Sequence, residues 1–217
     1  MQDQQKGMEM LKIGRIVMGS VETNCYFVYE EGKNKILVFD PADGGEYLYQ
    51  SFREKGFEVA AILLTHAHFD HISGCDELRK LTGAKVYAWE KEKALCEDPA
   101  LNVSQMAGRP VTAWVDEYLS EGAVLNIEGM EVKLIGTPGH TQGSCCFYFE
   151  KEGLLISGDT LFEGSVGRTD FPTGSGATLS RSLKEKLMCL PEEVKVYPGH
   201  GGFTTIGDEK KYNPFCA

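Results

Sequence analysis

The chain has 217 residues, of which 42% are hydrophobic and 25% are charged. This composition is typical of a folded globular protein and excludes a wholly disordered chain. The formal net charge is −10, with 22 basic against 32 acidic residues, so nothing in the charge balance favours a nucleic-acid partner. The length predicts a single domain over residues 1–217.

No stretch approaches the roughly 20 apolar residues that are needed to span a membrane. The amino end also lacks the apolar run of a signal peptide. Seven cysteines are scattered along the chain and none forms a CxxC pair. We interpret them as small buried residues of a protein in a reducing compartment. The sequence therefore predicts a cytoplasmic protein without a membrane partner.

Short apolar or alternating runs, separated by turn residues, predict strands in the first part of the chain. They occupy residues 10–18, 24–30, 35–40, 59–65 and 85–89. Helical spacing of apolar residues predicts helices over residues 46–57, 71–83 and 90–97. Residues 98–112 contain two prolines and little periodicity, which predicts a long loop that serves either as a lid or as a plain surface connection.

The carboxyl-terminal half repeats this pattern. Strands are predicted over residues 123–129, 130–136, 144–150, 153–159 and 194–199. Residues 177–190 have the apolar spacing of an amphipathic helix, and the residues after 200 are interpreted as a tail. Strands outnumber helices in both halves, so we expect an α+β protein with sheets inside and helices outside.

The densest chemistry lies in the run THAHFDH, residues 65–71, directly after a predicted buried strand. His66, His68, Asp70 and His71 place three imidazoles and one carboxylate within six residues. Such a run needs hydrogen-bond partners or a metal if it is buried. In an extended chain His66 and His68 point to the same side. Asp70 and His71 can then face a neighbouring point, so the run predicts a metal site.

Three further polar residues lie in turns that follow apolar strands. They are His140 in TPGHTQGS, Asp159 in SGDTLF and His200 in YPGHG. All five histidines of the chain are thus predicted in turns or loops at strand ends, where scaffolds present functional residues. Imidazole and carboxylate ligands without thiolates favour Zn, Fe or Mn. Seven ligands are too many for one tetrahedral ion but suit two divalent ions that share a carboxylate.

Together these four motifs resemble the metallo-β-lactamase fold superfamily, and the resemblance extends from about Ile13 to Phe215. Within it, the chain is most similar to the small, single-domain, glyoxalase-II-like (hydroxyacylglutathione hydrolase-like) hydrolases. The resemblance implies a four-layer αββα sandwich with two metals at one edge of its sheets. It also implies ligand sets, which are His66, His68 and His140 for the first metal, Asp70, His71 and His200 for the second, and Asp159 as the bridge.

The reaction implied by the resemblance is hydrolysis of a thioester such as S-D-lactoylglutathione by a hydroxide held between the metals. Asp70 is expected to orient that hydroxide as well as to ligate. Asp40, at a strand end, is a candidate partner of a ligand histidine, with a turn-forming role as the alternative. Arg168 in VGRTDF aligns with a basic residue that binds substrate in related enzymes, with a solvated surface role as the alternative.

Other functions stay open. A mononuclear-iron persulfide dioxygenase would use His66, His140 and Asp159, because two histidines and one carboxylate suit iron and dioxygen. A lactone hydrolase, or a non-enzymatic metal-binding sensor on the same scaffold, are further alternatives. A true β-lactamase is disfavoured by the missing signal peptide. Gly-Gly stands where glyoxalase II proper has a Glu-Tyr pair, and we do not expect its carboxyl-terminal helical domain here, so the dependence on glutathione is open.

Overall fold

A computed structural model describes residues 10–216. The expectation that there is no signal peptide also concerns residues 1–9, which lie outside the described residues. Within residues 10–216, no helix has the length and apolar character that crossing a membrane requires.

The first sheet is built from the amino-terminal half of the chain. Its six strands are β1 (Leu11–Met18), β2 (Thr23–Glu30), β3 (Lys35–Phe39), β4 (Glu58–Leu63), β5 (Lys85–Trp89) and β6 (Glu117–Leu119). They lie in sequence order across the sheet. The first two pairings are antiparallel and the other three are parallel. The helices of this half are α1 (Gly45–Glu54), α2 (Phe69–Ile72), α3 (Cys75–Thr82) and α4 (Lys93–Glu97), the last preceded by a 3₁₀ turn at Glu90–Glu92.

The second sheet comes from the carboxyl-terminal half. The strands of this half are β7 (Val124–Ile127), β8 (Met130–Gly136), β9 (Cys145–Phe149), β10 (Leu154–Gly158), β11 (Leu161–Phe162), β12 (Ser165–Val166), β13 (Lys195–Pro198) and β14 (Thr204–Thr205). The sheet has the order β14-β13-β10-β9-β8-β7, while β11 and β12 form a separate hairpin. The helices are α5 (Gly176–Ser182), which continues as a π turn over Leu183–Leu187, and α6 (Ile206–Tyr212).

Alternation of side chains along the strands explains the layers. On β3, Ile36 and Val38 join the core beneath α1 and α3, whereas Leu37 and Phe39 face the other sheet. The second sheet divides its side chains in the same way. Phe147 lies between the sheets, while its neighbours pack against α5 and the π turn. Because successive residues of a strand point to opposite faces, two sheets buried on both sides give the expected four-layer αββα sandwich.

The strands that precede the predicted site residues all end at one edge of the sandwich. β3 and β4 are parallel neighbours in the first sheet, and β10 and β13 are parallel neighbours in the second. β8 runs in the direction of β10, because both are antiparallel to β9. The sheets meet at this edge, where the N–H of Cys145 donates to the carbonyl of Thr65 (2.9 Å). The fold therefore brings loops from both halves together.

The structure differs from the sequence-based expectations in several local elements. The predicted helix 71–83 begins two residues earlier than expected and is interrupted after Ile72, which gives the single helical turn α2 before α3. His71 therefore lies in a helical turn, although all five histidines were also expected in turns or loops. The tail contains α6, whose first turn is capped by the Thr205 side chain accepting from the N–H of Asp208. The short strands β6, β11, β12 and β14 have too few residues to show a periodic pattern.

Candidate metal centre

Residues 65–71, called the motif loop below, leave the end of β4 with a backbone fixed by three other segments. Alternate N–H groups donate to partners elsewhere, Thr65 to Oδ1 of Asp40 (2.8 Å), Ala67 to Oε1 of Glu92 (2.8 Å) and Phe69 to the carbonyl of Asn102 (3.1 Å). Because the anchored residues alternate with His66 and His68, the two imidazoles project to the same side.

The first set of predicted ligands, His66, His68 and His140, converges at this point. Nε2 of His140 lies 3.2 Å from Nε2 of His66 and 2.8 Å from Nδ1 of His68. All three side chains are buried. Burial, together with neighbouring imidazoles, keeps the pKa of His66 well below its ordinary value and lowers that of His68 to about 3. The set is therefore neutral at physiological pH, as metal binding requires of imidazole.

The second set consists of Asp70, His71 and His200. Oδ2 of Asp70 lies 3.2 Å from Nε2 of His200 and 3.6 Å from Nε2 of His71. Burial disfavours ionisation of Asp70, but the nearby histidines outweigh it and lower its pKa to about 2. Burial alone would also lower the pKa of His200, whose hydrogen bonds to Asp159 and Asp70 raise it to about 9. Charged groups of both signs thus dominate this set.

Asp159 lies between the two sets. Its Oδ1 is 3.4 Å from Nε2 of His71, and its Oδ2 is 3.5 Å from Nε2 of His200 and 3.6 Å from Nε2 of His140. Burial raises the pKa of Asp159, but His71 and His200 reverse this effect, so the carboxyl is held well below its ordinary range. One ionised carboxylate therefore reaches histidines of both predicted sets.

The donor atoms fit a pair of divalent metal ions. There are three groups of residues whose ligand atoms lie within 4.8 Å of one another inside each group. They are His66, His68 and His140; His66, His71 and Asp159; and Asp70, His71 and His200. Three of the five buried side-chain atoms that lack a hydrogen-bond partner among residues 10–216 belong here, Nε2 of His68, Nε2 of His71 and Oδ1 of Asp159. Unpaired buried polar atoms are costly, and a bound cation would satisfy them.

The matches with known proteins agree with this geometry. The profile of the Metallo-beta-lactamase superfamily matches residues 18–200. The chain belongs to this superfamily. The probable metallo-hydrolase YqgX of Bacillus subtilis is 42% identical over 207 residues, which cover 94% of this chain and 97% of YqgX. Hydroxyacylglutathione hydrolase GloC of Haemophilus influenzae is 32% identical over 208 residues, covering 94% of this chain and 98% of GloC.

Two solved structures extend the comparison. The BLEG-1 B3 metallo-beta-lactamase is 40% identical, with a TM-score of 0.90 and coverage of 95% of this chain and all of that one. TTHA1623, solved in a di-iron-bound form, is 34% identical, with a TM-score of 0.83 and coverage of 93% and 99%. These relatives confirm the metallo-β-lactamase fold and indicate a metal-binding hydrolase.

The ring nitrogens that face away from the predicted metals are held by the protein. Nδ1–H of His140 donates to the carbonyl of Arg168 (2.7 Å), and Nδ1–H of His200 donates to the carbonyl of Val21 (3.1 Å). Such bonds fix the tautomer in which Nε2 carries a free lone pair. The alignment that singled out the Arg168 guanidinium gave no indication that its carbonyl would orient a histidine.

Asp40 supports both sets. Its Oδ2 accepts from Nδ1–H of His71 (3.0 Å) and from the Thr65 hydroxyl (2.6 Å), which in turn lies 3.1 Å from Nδ1 of His66. The φ of Asp40 is +49°, a left-handed conformation that costs a non-glycine residue on the order of 1 kcal/mol. A strained aspartate thus contacts His71 directly and reaches His66 through the Thr65 hydroxyl.

Arg168 lies beside the site. Its guanidinium forms two hydrogen bonds with Asp170 (2.7 and 2.8 Å) and stacks 3.7 Å from the centre of the Phe171 ring. Phe171 in turn makes an edge contact with the imidazole of His68, with ring centres 5.6 Å apart. A half-exposed cation is thus held one aromatic ring away from the first set.

Sequence reasoning missed three residues that position this site. Glu92 and Asn102 anchor the motif loop, and the Thr23 hydroxyl donates to Oδ2 of Asp70 (3.0 Å). Glu92 lies in the charged run EKEK, which is typical of a solvated surface. Asn102 lies in the predicted loop 98–112. It is buried, and its Nδ2 donates to two carbonyls, which holds this loop in place. Nothing in the local sequence distinguishes these residues from ordinary surface ones.

Proposed function

We propose that the chain is a binuclear metal-dependent hydrolase that cleaves small thioesters of the S-lactoylglutathione type. The observation that supports this proposal best is the overlap of the ligand groups. Asp159 approaches histidines of both predicted sets, and the ring centre of His71 lies 4.1 Å from that of His66 in the first set. We assign His66, His68 and His140 to the first metal, Asp70, His71 and His200 to the second, and Asp159 to both. The whole chain, residues 1–217, is proposed to act as one domain.

Two divalent ions, zinc in this proposal, would supply an activated water and would polarise the acyl oxygen of the substrate. The chain itself supplies a carboxylate that can receive a proton. Asp70 is ionised, and its Oδ2 is oriented by the Thr23 hydroxyl. We assign to Asp70 the role of orienting the attacking water and accepting its proton. Asp40 is assigned to hold the ring of His71.

Arg168 is proposed to bind an anionic group of the substrate. Its guanidinium is exposed, and stacking on Phe171 limits its freedom. Substitution Arg168→Ala should raise KM by about tenfold with little change in kcat, since the lost interaction is equal in ground and transition states. Arg181, on α5 and exposed, is the matched control. Equal effects of the two substitutions would remove Arg168 from the substrate site.

Specific observations favour two alternatives. His66, His140 and Asp159 form the two-histidine, one-carboxylate group that suits iron, and the related TTHA1623 is known in a di-iron-bound form. A persulfide dioxygenase therefore remains the second candidate. The similarity to a B3 metallo-beta-lactamase also adds β-lactams to the substrates that need to be tested, alongside lactones.

The deciding experiment combines metal analysis with a substrate panel on the same preparation. We expect two metal ions per chain and turnover of S-D-lactoylglutathione, lost after chelation and restored by added zinc. The panel also contains a lactone, a chromogenic β-lactam and glutathione persulfide with oxygen uptake. One iron per chain with oxygen consumption, or turnover of the β-lactam alone, would overturn the thioester proposal. A metal-bound protein inactive on the whole panel would favour a non-enzymatic sensor.

A further inference from the structure

Glu92 is a buried carboxylate that the proposed chemistry does not use. It lies in the 3₁₀ turn after β5, and 1% of its surface is exposed. Its Oε1 accepts from the N–H of Ala67 (2.8 Å), and both oxygens lie within 3.0 Å of the Thr141 hydroxyl. It also accepts a hydrogen bond from the backbone of Gly143. One side chain thus joins the motif loop to the loop that carries His140.

The points of attachment are adjacent to the first ligand set. Ala67 lies between His66 and His68, and Thr141 directly follows His140. The motif loop follows the first sheet, whereas the His140 loop follows β8 of the second sheet. Glu92 therefore spans the two sheets at the point where their imidazoles converge.

The close approach of Glu92 is built into the second loop. A Cβ at Gly143 would lie 2.2 Å from the backbone nitrogen of Glu92 and 2.5 Å from its Oε2. Only glycine allows this contact, because both distances are well below van der Waals contact. The hydrogen bond from Ala67 ties Glu92 to the motif loop, and the packing against Gly143 independently ties it to the His140 loop.

The chemistry of the contacts requires a carboxylate. All three partners are donors, and an ionised carboxylate is purely an acceptor. The amide of a glutamine would turn its N–H₂ group toward the backbone N–H of either Ala67 or Gly143, so that two donors would face each other. Burial raises the pKa of Glu92 to about 7, and the titratable groups that it influences are the neutral Cys96, Cys145 and Tyr118. Among residues 10–216 no cation pairs with this carboxyl, and a buried carboxyl without such a partner is costly to keep.

We propose that Glu92 is a positioning residue for the first metal, holding the motif loop and the His140 loop at the separation that lets His66, His68 and His140 share one ion. Outer contacts of this kind tune metal affinity by about 10- to 100-fold. This inference rests on the metal-binding part of the proposed function. It does not depend on which substrate is hydrolysed.

The test is titration of metal-free protein with cobalt(II), followed by the visible d–d absorption. Glu92→Gln should weaken binding of one of the two ions by about 10- to 100-fold and change the absorption bands of that ion. Glu209→Gln is the matched control, because Glu209 is also buried and accepts from Gly164 N–H (3.0 Å), the Thr204 hydroxyl (2.7 Å) and Asn213 Nδ2 (2.7 Å). Its variant should lose thermal stability but keep the wild-type cobalt spectrum and both affinities.

A second pair of variants guards against loss of folding. Thr141→Val removes the hydroxyl that donates to Glu92, whereas Thr141→Ser retains it. Thr141→Val should weaken binding of the same ion by about 3- to 10-fold, since one of the three hydrogen bonds to Glu92 is lost. Thr141→Ser should keep the wild-type affinity. Cobalt spectra and affinities of Glu92→Gln and Thr141→Val equal to those of the wild type would overturn the inference. If wild-type protein bound no cobalt at all, the proposed metal function itself would fail, which is a different result.

Discussion

The two predicted ligand sets differ in burial and in charge. The first set, His66, His68 and His140, contains three buried imidazoles, whose pKa values burial lowers. The second set contains Asp70 and two histidines, and 28% of the His200 side chain is exposed. One position therefore offers neutral ligands enclosed by protein, and the other offers a carboxylate at an open edge.

This difference indicates that the two sets of ligands are held in place by different interactions. Neutral imidazoles need no counter-ion, so their positions depend on hydrogen bonds from outside the site, such as those of Arg168 and Thr65. The second set contains its own charge, and Asp70 reaches both His71 and His200. We infer that hydrogen bonds from outside the site determine the positions of the first set, whereas charges within the second set hold its members together.

The largest effect is expected for His66→Ala. His66 belongs to two of the three groups of ligand atoms, so its loss should affect both ions and lower kcat/KM by about 10³-fold or more. The fold should survive, because the core clusters do not include His66. Circular dichroism checks that the fold survives, and metal content checks that binding of both ions is affected. Full activity in this variant would exclude a metal mechanism.

A smaller effect is expected for His200→Ala. His200 belongs to one group only and lies at the open edge, so we expect loss of one ion and a decrease of about 10²-fold in kcat/KM. Metal stoichiometry of one ion per chain, measured beside the His66 variant, checks the assignment. A His200 variant as damaged as the His66 variant would contradict the proposed difference between the sets.

Asp40→Asn should affect both sets at once. Both oxygens of Asp40 are acceptors, Oδ2 for His71 and the Thr65 hydroxyl and Oδ1 for the Thr65 N–H, so the amide would turn its N–H₂ group toward one of these donors. Contacts of this kind are worth about 10- to 100-fold in metal affinity. Chelator competition measures the affinities. Asp43→Asn is the control, because Asp43 lies in the same turn but pairs with Arg109 at the surface. Loss at one ion only would show that Asp40 serves a single set.

The smallest effect is expected outside both sets, at the pair of Arg79 and Asp116. Hydrogen bonds from Arg79 lower the pKa of Asp116. A carboxyl with a depressed pKa stabilises the fold above its ordinary pKa of about 4, and this contribution is lost as the pH falls through the folded value. Asp116→Asn should cost about 1 kcal/mol of unfolding free energy at pH 7.

Chemical denaturation at pH 7 and in the acid range measures that contribution. The difference between Asp116→Asn and wild type should shrink as the pH falls below about 4. Metal content and activity should stay unchanged, which makes this variant a reference for stability effects alone. A difference that persisted at low pH would show that the Arg79 contact is not what stabilises Asp116.

The sequence by itself predicted the α+β class, most strands and all seven candidate ligands. The continuous apolar run in residues 35–40 predicted a strand because burial on two faces selects apolar residues at every position. The ligands were recognisable because three imidazoles and a carboxylate in six residues have no ordinary structural use. Turns after apolar strands then added His140, Asp159 and His200, and the family resemblance divided the seven residues into ligand sets.

Only the tertiary structure decided how those ligands are held. Glu92 contacts Ala67, 25 positions away along the chain, and Asn102 contacts Phe69, 33 positions away. Local sequence patterns cannot predict contacts between residues so far apart. The start of the helical turn at residues 69–72 and the short strands were missed for a related reason. Elements of two to four residues are stabilised by their neighbours rather than by their own periodicity. The chemistry of the site was therefore readable from residue types, while its geometry depended on packing between the two sheets.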